Sequence, residues 1–162
     1  MEKQLTLPKI MEWLKEVKDP EIPVVSLVDL GVITEVHIDG SKVSIDMTPT
    51  FVGCPAMDYM VNDVKETLRS KGVKNIEVNV NFNKHWSSNN ITEKGRTALK
   101  QFGLAPPPHY DHIVDIDILE QTPCPYCDST DTELKTPFGP TLCRAMHYCN
   151  NCKQAFEQFK PI

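Results

Sequence analysis

Apolar residues recur at two different periods over the first hundred positions, and the switches between them mark the elements. From Pro8 to Lys18, Ile10, Met11, Leu14 and Val17 fall at helical spacing, and Pro8 suits a first helical turn. Asp19-Pro20-Glu21-Ile22-Pro23 stops that helix, since Pro20 and Pro23 cannot continue it. Val32–Ile38 and Lys42–Met47 then alternate as strands around Asp39-Gly40, a strong hairpin signal. After the loop 49–53, Pro55 is expected to open a second helix with Met57, Met60, Val61, Val64 and Leu68 as its apolar stripe and Gly72 as its stop. Asn75–Phe82 alternates as a third strand, and Ile91–Phe102 carries a short helical pattern closed by Gly103. The pattern predicts an α+β fold, a small two-layer domain with helices on a mostly three-stranded sheet.

Ala105-Pro106-Pro107-Pro108 reads as an extended, semi-rigid spacer. Beyond it, Val114, Ile116 and Ile118 alternate with Asp115 and Asp117, which fits one strand. The last forty or so residues hold little from which to build a core, and a segment below ~40 residues usually needs a metal, disulfides or a partner to fold. The expected organisation is a domain over 1–104, a linker and connecting strand over 105–121, and a C-terminal module over 122–162.

That module holds five of the six cysteines. Cys124-Pro125-Tyr126-Cys127 and Cys149-Asn150-Asn151-Cys152 are two knuckles, each able to present two thiolates to one ion, and two knuckles complete a tetrahedral S4 zinc site. Strand-like stretches at 132–135 and 154–157 follow the knuckles, as a zinc ribbon requires. Four protein ligands leave no open coordination position, so this zinc has a structural role. Cys143 and His147 are alternative ligands, although neither has knuckle spacing with a partner; Cys143 is otherwise a small buried residue or a second functional thiol.

Composition narrows the partners. Of 162 residues, 17 are Lys or Arg and 22 are Asp or Glu, a net charge of −5. From Thr122 onward, Asp128, Asp131, Glu133 and Glu157 balance Lys135, Arg144, Lys153 and Lys160. A neutral ribbon on an acidic chain neutralises few phosphates, so protein docking is expected rather than nucleic-acid binding. No apolar run approaches the ~20 residues that span a bilayer, and the first residues lack a basic then apolar leader. A cytoplasmic protein without membrane partners is expected.

The sixth cysteine stands apart. Within Thr48-Pro49-Thr50-Phe51-Val52-Gly53-Cys54-Pro55, Cys54 is expected to cap the second helix, where the dipole favours a thiolate. Gly53 allows close backbone approach, and Thr48 and Thr50 can donate hydroxyl hydrogen bonds. The plainer alternative is a small buried cysteine. Asp19 and Glu21 taken alone read as turn residues, and His85 and Trp86 as a loop packing on the core. Gly-rich nucleotide loops, an ordered Ser/His/Asp set and paired Glu-x-x-His motifs are absent from the sequence.

Residues 19–33 (DPEIPVVSLVDLGVI) with residues 48–58 (TPTFVGCPAMD) resemble the small-domain family of iron–sulfur assembly factors that includes SufT. Trp86, Thr92-Glu93-Lys94-Gly95-Arg96, residues 102–107 and Phe138-Gly139-Pro140-Thr141-Leu142-Cys143 are similar to the PaaD family, accessory subunits of the phenylacetyl-CoA epoxidase (ring 1,2-epoxidase) system. The resemblance spans nearly the whole chain and departs at Asn83-Lys84-His85-Trp86, leaving His85 unsupported as a site residue. It implies a maturation factor for that multicomponent oxygenase in aerobic phenylacetate degradation. The family's reactive cysteine maps onto Cys54, its acidic loop onto Asp19 and Glu21, with Thr50 beside them, and Cys143 falls within the PaaD-like pattern. One thiolate with two carboxylates is a sparse, labile site for iron or an iron–sulfur cluster held transiently, which a homodimer could complete. The implied partners are the oxygenase and iron–sulfur flavin reductase subunits and the iron–sulfur assembly machinery. A structural adaptor of the oxygenase complex and a thiol-dependent enzyme using Cys54 remain the alternatives.

Overall fold

The computed structural model describes residues 5–111 and 116–162. It divides into two compact units, Met1–Trp86 and Ser87–Ile162, each with its own sheet.

In the first unit, helix α1 (Leu7–Leu14) carries Pro8 in its first turn and buries Ile10 and Leu14. It is shorter than its apolar pattern, because the chain tightens into turns that end with Val17 N–H on the Leu14 carbonyl at 3.1 Å. Strands β1 (Ile33–Asp39) and β2 (Lys42–Met47) form the antiparallel hairpin, with Asp39 opposite Lys42 and Ile33 opposite Met47. Gly40 takes φ +58 in its turn, a conformation only glycine adopts cheaply. Helix α2 (Met57–Ser70) crosses back to strand β3 (Asn75–Val80), which runs parallel to β2. The sheet order is therefore β1-β2-β3.

The core lies between this sheet and its helices. Val43, Ile45 and Met47, alternating on the central strand, are fully buried, as are Val64 and Leu68 of α2 and Ile10 and Leu14 of α1. Period two on the strand thus meets period 3.6 on the helices across one interface. This is the predicted α+β sandwich.

In the second unit, α3 (Glu93–Phe102) is capped by the Thr92 side chain, which accepts from Gly95 N–H, and ends at Gly103 in the left-handed region. Next comes β4 (Leu104–Ala105), the short helix α4 (Ile116–Glu120), and strands β5 (Thr132–Thr136), β6 (Arg144–Cys149) and β7 (Ala155–Phe159). The sheet order is β4-β7-β6-β5.

Three expectations change here. Ala105 does not start a spacer: it pairs with Gln158 in the ribbon sheet, and the compact units divide at 86/87 rather than at the prolines. Pro107 is buried, and its carbonyl accepts from the buried Arg96 guanidinium, whose Nη2 also donates to the Ser88 carbonyl at 2.9 Å. That clasp folds the proline stretch onto its own unit. The strand expected through Val114–Ile118 is also replaced: Val114 and Asp115 lie outside the described residues, and Ile116–Glu120 is helical, with Leu119 as its buried residue. Two alternations are too few to fix a period.

Leu68→Ala tests the first unit's core. The side chain is fully buried, so its loss removes transfer energy and leaves a cavity, about 2–5 kcal/mol of stability. Trp13 and Trp86, the only two tryptophans, both lie in this unit. Urea unfolding followed by their fluorescence should show the loss, and an unchanged midpoint would contradict the packing.

Candidate functional site

The four knuckle cysteines form a complete set of donor atoms. Each knuckle closes in the same way. The Cys124 N–H donates to the Ser129 carbonyl at 2.9 Å, and the Asp128 N–H returns to the Cys124 carbonyl at 2.9 Å. In the second knuckle, the Cys149 N–H donates to the Gln154 carbonyl at 2.9 Å and the Lys153 N–H to the Cys149 carbonyl at 3.0 Å. Asp128 and Lys153 occupy equivalent places at φ 58 and 60. Left-handed backbone costs a non-glycine residue roughly 1–2 kcal/mol, so both loops hold a strained residue in order to aim two sulfurs.

The four Sγ atoms of Cys124, Cys127, Cys149 and Cys152 lie within 4.8 Å of one another. Cys124–Cys152 and Cys127–Cys149 are each 3.6 Å apart, too far for a disulfide of about 2.05 Å. Thiolates about 2.3 Å from a zinc ion at tetrahedral angles stand about 3.8 Å apart, so the donor set and its spacing fit that ion. Cys124 and Cys149 are fully buried and pack with Ala105 and Phe156, making the cluster itself the centre of the ribbon core. The Asn151 amide, 3.5 Å from Cys127 Sγ, and the Ser129 backbone N–H lower the Cys127 thiol to about 6, while burial pushes Cys152 up to about 12.

Cys143 and His147 stand outside this set. Cys143 Sγ is 3.1 Å from the Thr141 hydroxyl. His147 is buried, stacks on Phe156 at 5.2 Å and meets Gln158 Oε1 at 2.9 Å; burial pulls its pKa down.

The other predicted site residues lie on two loops of the first unit, Asp19 and Glu21 ahead of β1 and Thr50 and Cys54 after β2. Ile33, the first residue of β1, pairs with Met47, the last of β2. The acidic loop therefore enters the sheet at the end from which the Thr48–Cys54 loop leaves. The acidic loop is closed by Asp19 N–H on the Val25 carbonyl and Leu27 N–H on the Val17 carbonyl, each 3.0 Å. Asp19 Oδ1 accepts from the Glu21 and Ile22 N–H groups at 2.8 and 2.9 Å, a turn held by its own carboxylate. Glu21 is exposed. Across the sheet end, Thr48 N–H donates to the Val32 carbonyl at 2.8 Å, and the buried Thr48 hydroxyl has no hydrogen-bond partner among the described residues.

Cys54 is half-buried, and Gly53 before it takes φ +82. The expected cap is corrected: α2 starts at Met57 with Ala56 as its cap, and the Cys54 carbonyl accepts Met57 N–H at 3.3 Å. Pro55 presets the second position of this tight turn rather than the first of the helix. The thiol thus stands one turn upstream of the helix dipole. Thr50 is half-buried, His85 is exposed, and Trp86 is buried with its indole N–H on the Leu30 carbonyl at 3.0 Å. Among the described residues, Cys54, Asp19 and Glu21 do not form a group of ligand atoms within 4.8 Å.

Two features carry little signal in the sequence. Glu35, His37 and Asp46 gather on the outer face of the sheet, but Lys84 Nζ already sits 2.5 Å from Glu35 and holds its carboxyl below the usual range, so Glu35 is already engaged in an ion pair. Ser26 and Asp29 form a buried pair, with the Ser26 hydroxyl donating to Asp29 Oδ2 at 2.7 Å and Asp29 N–H donating back to Ser26 Oγ at 3.0 Å. The Ser-x-x-Asp spacing is the one local hint of such a reciprocal cap.

Comparison with known proteins follows the same division. The family model described as "Iron-sulfur cluster assembly protein" matches residues 8–80, and the "PaaD zinc beta ribbon domain" matches residues 117–160. The chain is 32% identical over 154 residues to an Escherichia coli (strain K12) protein described as a component of 1,2-phenylacetyl-CoA epoxidase, covering 95% of this chain and 92% of that one. An "Fe-S protein maturation auxiliary factor" of Porphyromonas gingivalis is 38% identical over 92 residues, 56% of this chain and 87% of the relative. Among solved structures, a DUF59 domain of unknown function from Bacillus anthracis has a TM-score of 0.53 at 37% identity, covering 57% of this chain and 89% of that one. A conserved hypothetical protein from Thermotoga maritima also scores 0.53, at 28% identity over 64% of this chain and 100% of that one. An iron–sulfur-assembly domain joined to a PaaD zinc ribbon, together with likeness over nearly its full length to the Escherichia coli protein, places this chain in the PaaD family.

Proposed function

We propose that the chain is an accessory maturation factor of a phenylacetyl-CoA epoxidase system that helps build iron–sulfur clusters or iron sites in its oxygenase and flavin reductase subunits. The observation that supports this is that the chain enters β1 at Ile33, after the acidic loop, opposite the point at Met47 where it leaves β2 toward Cys54, within the residues that match iron–sulfur cluster assembly proteins. Iron or a cluster is cargo in this account. Cys54 offers one soft thiolate, Asp19 and Glu21 offer harder carboxylates, and Thr50 a hydroxyl. So few ligands of mixed hardness hold cargo weakly, which suits release to a client. A second copy of the chain would complete the coordination. The described helices include none long and apolar enough to cross a membrane, and the cytoplasm, with its iron–sulfur assembly machinery, is the proposed setting.

Cys124, Cys127, Cys149 and Cys152 would hold zinc in a closed, structural S4 site, and the ion supplies folding energy to a ribbon whose core is the cluster itself. About one tightly bound zinc per chain is expected. Strong chelation should collapse the dispersed NMR signals of the ribbon while the fluorescence of Trp13 and Trp86 stays native. Because the thiols must ionise on binding, competition with a chelator should show affinity rising between about pH 6 and about pH 8. A metal-free chain with a folded ribbon would contradict the assignment.

Cys54→Ser keeps size and hydrogen-bonding capacity but removes the soft ligand. Epoxidase subunits coexpressed with this variant should be under-loaded in iron and acid-labile sulfide, while the variant's melting temperature changes little. Asp19→Asn and Glu21→Gln should give weaker defects of the same kind. Normal client loading with folded Cys54→Ser would exclude the maturation mechanism and favour the adaptor role.

A further inference from the structure

Between the two loops of the proposed site lies a turn to which the maturation role assigns no part. Ser26 and Asp29 are 1% and 7% exposed, and a carboxylate is expensive to bury unless it is well bonded. Its bond to the Ser26 hydroxyl shows what it secures. Ser26 forms a bridge with Lys18 at the base of the acidic loop. Its carbonyl accepts Leu30 N–H at 2.9 Å. The next residue, Leu27, donates to Val17, and its carbonyl accepts Val32 N–H at 3.0 Å and Ile33 N–H at 3.3 Å. The Val32 carbonyl in turn accepts Thr48 N–H. Backbone hydrogen bonds at Val17, Leu27, Val32 and Thr48 therefore tie the base of the acidic loop and the Ser26–Asp29 turn, in which Leu27 lies, to the start of the Cys54 loop. The Trp86 indole N–H bonds the Leu30 carbonyl, at the end of the same turn.

We infer that Asp29, acting through Ser26, is a positioning residue that fixes the acidic loop relative to the Cys54 loop. The functional consequence rests on the proposed maturation role; the mechanical one does not. If Asp29 served only general stability, its removal would loosen the first unit uniformly. A positioning role predicts a local effect confined to the two loops.

The experiment uses the full chain with zinc bound, as wild type, Asp29→Ala, Ser26→Ala, Asp29→Asn and Cys54→Ser. Hydrogen exchange should accelerate about tenfold or more in Asp29→Ala and Ser26→Ala at the amides of Asp19, Val25 and Thr48, while Val43 and Ile45 in the central strand stay protected. Asp29→Asn keeps an acceptor for the Ser26 hydroxyl and should restore most of the protection. Client iron and sulfide should fall in the two alanine variants and recover in Asp29→Asn. Uniform acceleration across the sheet, or an unchanged Thr48 amide, overturns the positioning role. Normal client loading in Cys54→Ser would instead reject the maturation role, and the exchange pattern would still decide the coupling of the loops.

Discussion

The register of the β1–β2 hairpin, with Ile33 opposite Met47, is the constraint on which the proposed site depends. Side chains alternate along a strand, so this register places Val43, Ile45 and Met47 on the buried face and sets where each strand ends. The start of β1 and the end of β2 fall at the same end of the sheet. The chain that arrives there has just formed the acidic loop, and the chain that leaves carries Cys54. A slip of one residue would turn the core face outward, so stability and the placement of the loops are enforced together.

The ribbon obeys a different constraint. Its core is built from Ala105, Phe156 and the cysteines themselves, so packing and metal coordination are one requirement there. This explains why two non-glycine residues, Asp128 and Lys153, accept left-handed backbone at matching points in the two knuckles. The first unit folds around aliphatic side chains, whereas the second is organised around four sulfurs.

Much of this is legible in the sequence for physical reasons. The strands β1, β2 and β3 and the helix α3 are readable because apolar period and stop signals agree at each. Knuckle spacing alone singles out the four cysteines that the fold brings together. The start of α2 is displaced from its expected place because Pro55 serves a tight turn as readily as a first helical turn. The proline stretch folds back, against expectation, because the buried Arg96 draws the Pro107 carbonyl into the fold and leaves no local pattern. Strand β6 is hard to read in the sequence because its buried alternate residues, Ala145, His147 and Cys149, are not strongly apolar. At the candidate site, composition gives Asp19, Glu21 and Cys54 no more than turn and packing roles, and the resemblance to assembly factors raises them. The common sheet end at which β1 starts and β2 stops is a property of strand register, which no single segment encodes.

In the proposed maturation role, iron cargo is held through Cys54 and not by the ribbon. Mössbauer spectroscopy of the full chain isolated anaerobically from cells grown on iron-57 tests it most directly. The expected iron signal disappears in Cys54→Ser and persists when Cys149 and Cys152 are replaced by serine. A signal that survives Cys54→Ser and vanishes with the ribbon cysteines would contradict it.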